Sequence, residues 1–276
     1  MNNLFEQMLS RYEIHSNDDY KNAIHEVMQQ VTLAGLYRGN FFDKAAFYGG
    51  TCLRMFHGLQ RFSEDMDFSL LQSNQDFSLE EYFNPILNEF KAVGREVKIT
   101  RREKNKKTNI ESAFLKDDTA IYNLQFKTEG HIKIKIEVDI NPPLGFDTEN
   151  KLLLLPFSFM PRCYTLPNLY AGKIHALLFR AWKNRVKGRD WYDFEWYVRN
   201  GVTLNFEHFC QRAGQSSPVT KNELTHESFK QLLREKISRT DMNLVKSDVL
   251  PFIKKPQDIE IWSNDYFLQL VDMIRF

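Results

Sequence analysis

Between Ile132 and Ile140 the chain alternates without a break. In "HIKIKIEVDIN" the side chains of Ile132, Ile134, Ile136, Val138 and Ile140 fall on one face, and Lys133, Lys135, Glu137 and Asp139 on the other. Successive side chains of a strand point to opposite sides, so this period is that of a half-exposed β-strand. The same period runs through "IYNLQFKT" (121–128), and "KLLLLPFSF" (151–159) reads as an apolar strand. From Val97 to Phe159 the chain is therefore expected to form successive strands. They should be largely antiparallel, because several connections are too short for a crossover.

On either side the period changes to that of a helix. Leu4, Met8, Leu9 and Tyr12, then Ile24, Val27, Met28, Val31 and Ala34, predict two helices before Tyr37. Ala45–Tyr48 reads as a short strand, Thr51–Gly58 as a helix, Asp65–Leu71 as a second strand and Ser78–Lys91 as a helix with Ser78 as its N-cap. After Pro167 the spacing stays helical, with helices expected over 168–184, 189–199, 206–212, 221–234 and 266–274. The fold class is thus α+β: a mixed, largely antiparallel sheet in residues 1–163 and an all-helical part in 164–276.

The composition supplies the core such a fold needs, with 42% hydrophobic residues and 23 Phe in 276 residues. Lys and Arg number 37 against 36 Asp and Glu, so any site for a polyanion must come from local clustering. Cys52, Cys163 and Cys210 lie far apart with no CxxC spacing, which argues against a zinc site or a disulfide framework. No signal peptide and no apolar run near the ~20 residues of a membrane span is visible. A cytoplasmic protein with no membrane association is expected.

The stretch "GGTCLRMFHGLQRFSEDMDFSL" (49–70) carries the chemistry. A strand that ends in Gly49-Gly50 lets backbone N–H groups approach an anion with no Cβ in the way, and the next helix turns its positive end toward it. Thr51 adds a hydroxyl. Asp65 and Asp67 are two apart on a strand, hence on one face, and two close carboxylates repel unless a cation sits between them. Mg²⁺ takes such pairs and keeps positions for phosphate oxygens. Glu137 or Asp139 can supply a third carboxylate, and the period of the strand does not choose between them. Three carboxylates can hold two Mg²⁺ ions for phosphoryl transfer.

Further on, "NLYAGKIHALLFRAWKNRVKGRDWYDFEWYV" places Lys173 and Arg180 two turns apart on one face, with Asp190 in the first turn of the next helix and Asp193 its i+3 neighbour. Lys173 suits a phosphate as a point charge, and arginines suit it through paired N–H groups. Basic residues cluster at Arg101–Lys107 and Arg180–Arg189, the latter with Lys183, Arg185 and Lys187, as phosphate contacts for a nucleic acid. His57, His131 and His175 fall in unrelated contexts and read as packing or surface residues.

The order of these parts resembles the AbiEii/AbiGii-type nucleotidyltransferase toxins of the polymerase-β-like superfamily. The matching stretches are "FYGGTCLRMFHGLQRFSEDMDFSL", "IKIEVDINPP", "LYAGKIHALLFR", "KGRDWYDFEWYV" and, at the end, "KSDVLPFIKKPQDIEIWSNDYFLQLV". The resemblance implies a polymerase-β-like α/β domain followed by a helical one, with the site in the cleft between them. It implies NTP as substrate and Mg²⁺ as cofactor. Gly49, Gly50 and Thr51 would hold the triphosphate, Arg61 and Ser63 would support the loop before the second strand as part of the nucleotide site, and Lys173 and Arg180 would face phosphates. Asp65 and Asp67 would bind metal with Glu137 or Asp139, and Asp190 would contribute to catalysis beside Asp65, Asp67 and Lys173. Characterised relatives include toxins that add nucleotides to tRNA 3′ ends and are paired with an antitoxin, so tRNA and a cognate antitoxin are the expected partners. Nucleotidylation of a protein hydroxyl, and a silent NTP- or antitoxin-binding module, are the competing expectations.

Overall fold

The computed structural model describes residues 3–101, 119–126, 132–180, 186–216 and 224–276. Residues 102–107 of the first basic cluster, Lys183 and Arg185 of the second, and His131 lie outside the described residues.

Two helices open the chain, α1 (Leu4–Leu9) and α2 (Asn17–Arg38). Ser16 caps α2 by accepting the Asp19 N–H, and Asp18 and Asp19 complement the positive end of the helix dipole. Strand β1 (Ala45–Tyr48) runs directly into α3 (Gly49–His57), which stops at Gly58 in a left-handed conformation. Then come β2 (Met66–Leu70), α4 (Phe83–Ala92), β3 (Val97–Arg101), β4 (Thr119–Phe126), β5 (Lys133–Asp139), β6 (Thr148–Asn150) and β7 (Arg162–Tyr164). Helices make up the rest: α5 (Leu166–Phe179), α6 (Gly188–Arg199), α7 (Phe206–Ser216), α8 (His226–Ser238), α9 (Met242–Val249) and α10 (Asn264–Asp272).

Among the described residues the strands form one sheet in the order β3-β4-β5-β2-β1-β7-β6. Outer pairs are antiparallel, but β2–β5 and β1–β7 are parallel, so the centre of the sheet is where its direction mixes. Phe47, Phe68 and Val138 lie on one face in register, together with Met66 and Ile136, and are buried. Helices α2 and α4 pack against one another, and α2 also packs on β5, so this face is covered. Removing a large apolar side chain from such a core costs about 2–5 kcal/mol. The opposite face carries Tyr48, Asp67, Ser69, Glu137 and Asp139, and it is the one that meets the helical half.

That half is built around α6. Its Trp191, Tyr192, Phe194, Trp196 and Tyr197 are all buried, which is the mark of a central helix rather than a surface one. Tyr170 of α5 stacks on Tyr197 at 4.4 Å, and Trp191 and Phe194 contact Phe267 of α10. One continuous core runs from Phe5 to Ile274.

Two expectations need correction. "KLLLLPFSF" is not a strand: it folds back on itself through a single antiparallel bridge between Leu153 and Phe159, with Leu152 57% and Leu154 61% exposed. Pro156 has no N–H to give to a ladder, and it sits where the run would need one. The strands at this edge are instead β6 and β7, three residues each. Helix α9 was also not anticipated, being only two turns long.

Candidate active site

The turn from β1 into α3 is set by Gly49. Its φ is +82°, and a Cβ there would come within 2.2 Å of Asp67 Oδ2, so both the backbone and the neighbouring carboxylate require glycine. A Cβ on Gly50 would meet Arg61 Nη2 at 2.7 Å and Ser63 Oγ at 2.9 Å. The first turn of α3 is therefore pressed against both the strand bearing Asp67 and the loop before it.

That loop is held from three sides. Gln29 of α2 donates to the carbonyls of Ser63 (3.0 Å) and Glu64 (3.1 Å). Arg54 of α3 donates to the carbonyls of Gln60 (2.9 Å) and Arg61 (3.1 Å). Arg61 itself, 1% exposed, reaches across to α6, giving Nε to Asp193 Oδ1 at 2.6 Å and Nη2 to Asp193 Oδ2 at 2.7 Å. Arg61 was expected to support this loop as part of the nucleotide site, and its guanidinium, committed to Asp193 and to the Phe62 carbonyl, braces the loop. Ser63 and Thr51 are likewise buried: the Thr51 hydroxyl donates to the Asp65 carbonyl and lies 3.0 Å from Ser63 Oγ. These hydroxyls position the backbone of Asp65.

Strand register brings the carboxylates together. Asp67 pairs with Tyr48 on one side and with Glu137 on the other. Asp139 lies opposite Ser69, one step further from Asp65, and accepts the Asn141 N–H at 3.2 Å. Burial, then the charges of Glu137 and Asp65, push the Asp67 carboxyl up to about 7. Lys135, on the same face of β5, forms an ion pair with Glu137. Among the described residues no three His, Cys, Asp or Glu side chains are gathered closely enough to hold a metal as they stand. The donor set nevertheless suits a hard divalent cation, since all are carboxylate oxygens and their mutual repulsion is what a cation relieves.

Facing this wall is a basic one. Lys173 of α5 lies 2.8 Å from Asp193 Oδ2 and 3.5 Å from Asp190 Oδ1, and Arg180 lies 3.6 Å from Asp190 Oδ2. Burial alone would raise the Asp190 carboxyl, but Lys173, Arg180 and Lys187 outweigh it and hold it at about 2. Burial, then the charge of Arg180, pulls the Lys187 ammonium down to about 8. Arg189 pairs with Glu64 and lies over the Phe252 ring at 4.2 Å. His57 and His175 take no part in this arrangement. Sequence reasoning placed Lys135 on the ionic face of β5 without a role and tied Lys187 only to a nucleic-acid contact; their places beside Glu137 and Asp190 are set by packing.

Residues 31–269 match the sequence model of one family, the nucleotidyl transferase AbiEii toxin of type IV toxin–antitoxin systems. Among solved structures, the chain is similar to MenT4, a nucleotidyltransferase toxin from Mycobacterium tuberculosis H37Rv, at 14% identity and a TM-score of 0.53 over 98% of this chain and 99% of that one. It is also similar to JHP933 from Helicobacter pylori, at 16% identity and a TM-score of 0.50 over 92% and 90%. At these identities the likeness is one of fold. No curated protein matches the chain in sequence. No helix among the described residues is long and apolar enough to cross a membrane.

Proposed function

We propose that this chain, which belongs to the AbiEii family of nucleotidyltransferase toxins, moves a nucleoside monophosphate from an NTP to the 3′ end of a tRNA in the cytoplasm. Pyrophosphate is the leaving group, and a cognate antitoxin restrains the reaction. The observation that carries the reading is the pairing of two unlike walls: Asp67 locked in register with Glu137 beside Asp65, opposite Lys173, Arg180 and Asp190.

In this reading the N–H groups at Gly49 and Gly50 cradle the triphosphate, aided by the positive end of α3. Lys173 and Arg180 take phosphate oxygens, and Asp190 keeps both cations aimed. Asp65, Asp67 and Glu137 would hold Mg²⁺, with Asp139 left to cap its strand. Bound there, the metal would lower the pKa of the attacking hydroxyl and offset phosphate charge. The carboxylates orient the acceptor hydroxyl toward the α-phosphate, and the basic wall steadies the charge that builds on pyrophosphate. Lys187 and Arg189 near the site suit a polyanionic acceptor.

The test is to incubate the protein with Mg²⁺ and each α-³²P-labelled NTP in turn, offering total tRNA and a cell protein extract. Label on tRNA that disappears in Asp67→Ala is the expected result. Label on protein keeps the chemistry and changes the acceptor. Full activity in Asp67→Ala would overturn the assignment, and NTP binding without any transfer would point to a silent binding module.

A further inference from the structure

Four cations of the cleft are matched by carboxylates. Arg61 pairs with Asp193, Lys173 with Asp190 and Asp193, Arg180 with Asp190, and Arg189 with Glu64. Arg212 differs. Its Nε is buried with no acceptor, and among the described residues no carboxylate pairs with it. A buried guanidinium donor left unbonded costs stability, so its retention asks for a reason.

Its position is set by α7. Phe209 and Ala213 are buried in the helical core, which turns His208 and Arg212, four residues apart, to a shared face. His208 rings lie edge-on to Phe146 and Tyr164. The Arg212 guanidinium carbon stands 6.0 Å from the centre of the Tyr48 ring, whose other neighbour is Tyr164 at 5.2 Å. On the α5 side, Arg212 Cζ and Nε lie 4.0 Å from the point where a side chain on Gly172 would begin. Tyr48 immediately precedes Gly49, and Gly172 immediately precedes Lys173. Arg212 thus stands at the seam between the two places assigned to the triphosphate. Its charge is felt there, opposing the burial that raises the Tyr48 and Tyr164 phenols.

We propose that Arg212 is a further substrate-binding residue, whose guanidinium takes a phosphate oxygen of the bound NTP beside Lys173. A guanidinium offers several N–H donors in a plane that matches a phosphate, and an aromatic ring beneath it fixes that plane without using the donors. The inference rests on the nucleotidyltransferase reading of the cleft.

The test is isothermal titration of the full chain with α,β-methylene analogues of the four NTPs in Mg²⁺, and with the parent nucleosides. Wild type should bind one or more analogues. Arg212→Ala should weaken that binding about tenfold or more, as expected for a lost charge-assisted hydrogen bond. Arg212→Lys should recover part of the loss, nucleoside binding should not change, and both variants should melt within ~2 °C of wild type. Equal NTP affinity in Arg212→Ala would overturn the inference, as would an equal loss for the nucleoside, which would mark a packing role. A raised KM for tRNA with unchanged NTP affinity would also overturn it, in favour of an acceptor contact. A wild type that binds no analogue and labels no acceptor sinks the nucleotidyltransferase reading itself, whereas this inference fails alone when wild type still binds and transfers.

Discussion

The two walls of the cleft solve opposite electrostatic problems. On the sheet wall Asp65, Asp67 and Glu137 crowd together, and the Asp67 carboxyl rises to about 7. On the helical wall Asp190 and Asp193 are buried more deeply still, yet Asp190 is held at about 2 because Lys173, Arg180 and Lys187 surround it. One wall is left short of positive charge and the other is already matched. The difference is electrostatic: the helical wall is neutralised by its own ion pairs, and the sheet wall, on the proposed mechanism, is where a cation would be received.

The largest test of this contrast is Asp193→Ala. It strands the Arg61 guanidinium in the core, and loss of one partner of a buried pair costs about 3–5 kcal/mol. Urea unfolding should show that loss, while Asp67→Asn on the sheet wall should leave the unfolding midpoint at or above wild type. Comparable losses in both would erase the distinction.

Gly49→Ala should come next, at about 1–3 kcal/mol for a left-handed backbone in a residue with a Cβ. Because that Cβ would drive Asp67 aside, NTP transfer should fall at least as steeply as in Asp67→Asn. A variant that melts early but transfers normally would show that Asp67 does not depend on this turn.

The third test moves to the end of the helical wall where Arg212 stands. His208 is 0% exposed; burial and then Arg212 hold its imidazole near 3, below the ordinary value of 6.5. A base depressed in the folded state binds fewer protons than in the unfolded chain below pH 6.5, so stability is retained above that pH and lost as pH falls toward 3. Between pH 7 and pH 5 this amounts to about 2 kcal/mol, and His208→Gln should flatten that part of the pH–stability curve. An unchanged slope would mean that His208 is charged where it sits.

The smallest effect belongs to Lys135→Met. Its pair with Glu137 is about one-third exposed, so stability should change by less than about 1 kcal/mol in chemical unfolding. A larger loss would show that the sheet wall neutralises itself and that the contrast is overdrawn.

What could be read from the sequence was whatever is local. Alternation placed β5 and put Glu137 and Asp139 on the ionic face, and the glycine pair with Asp65 and Asp67 singled out 49–67 as the candidate site. The parallel register of β2 on β5, which sets Glu137 rather than Asp139 against Asp67, is a tertiary fact that a single strand does not contain. Arg61 was read as a support for its loop, but what it grips could not be read, because its partner, Asp193, is 132 residues away. Apolarity alone made a strand of "KLLLLPFSF", although Pro156 stands within it. Arg212 is one basic residue in an amphipathic helix, and only the packing of α7 gives it meaning.

The reach of that Arg61–Asp193 pair has a consequence in time. As the chain leaves the ribosome, every carboxylate of the sheet wall is made before the first residue of α6 exists. Loop closure over so long a separation comes late in folding. A nascent or truncated chain ending after β5 therefore holds the carboxylates of the sheet wall and none of the basic wall, and the Arg61 guanidinium lacks Asp193 while Gln29 and Arg54 still hold the loop's backbone. On the proposed mechanism no transfer is expected until α5 and α6 are in place, a delay written into connectivity alone.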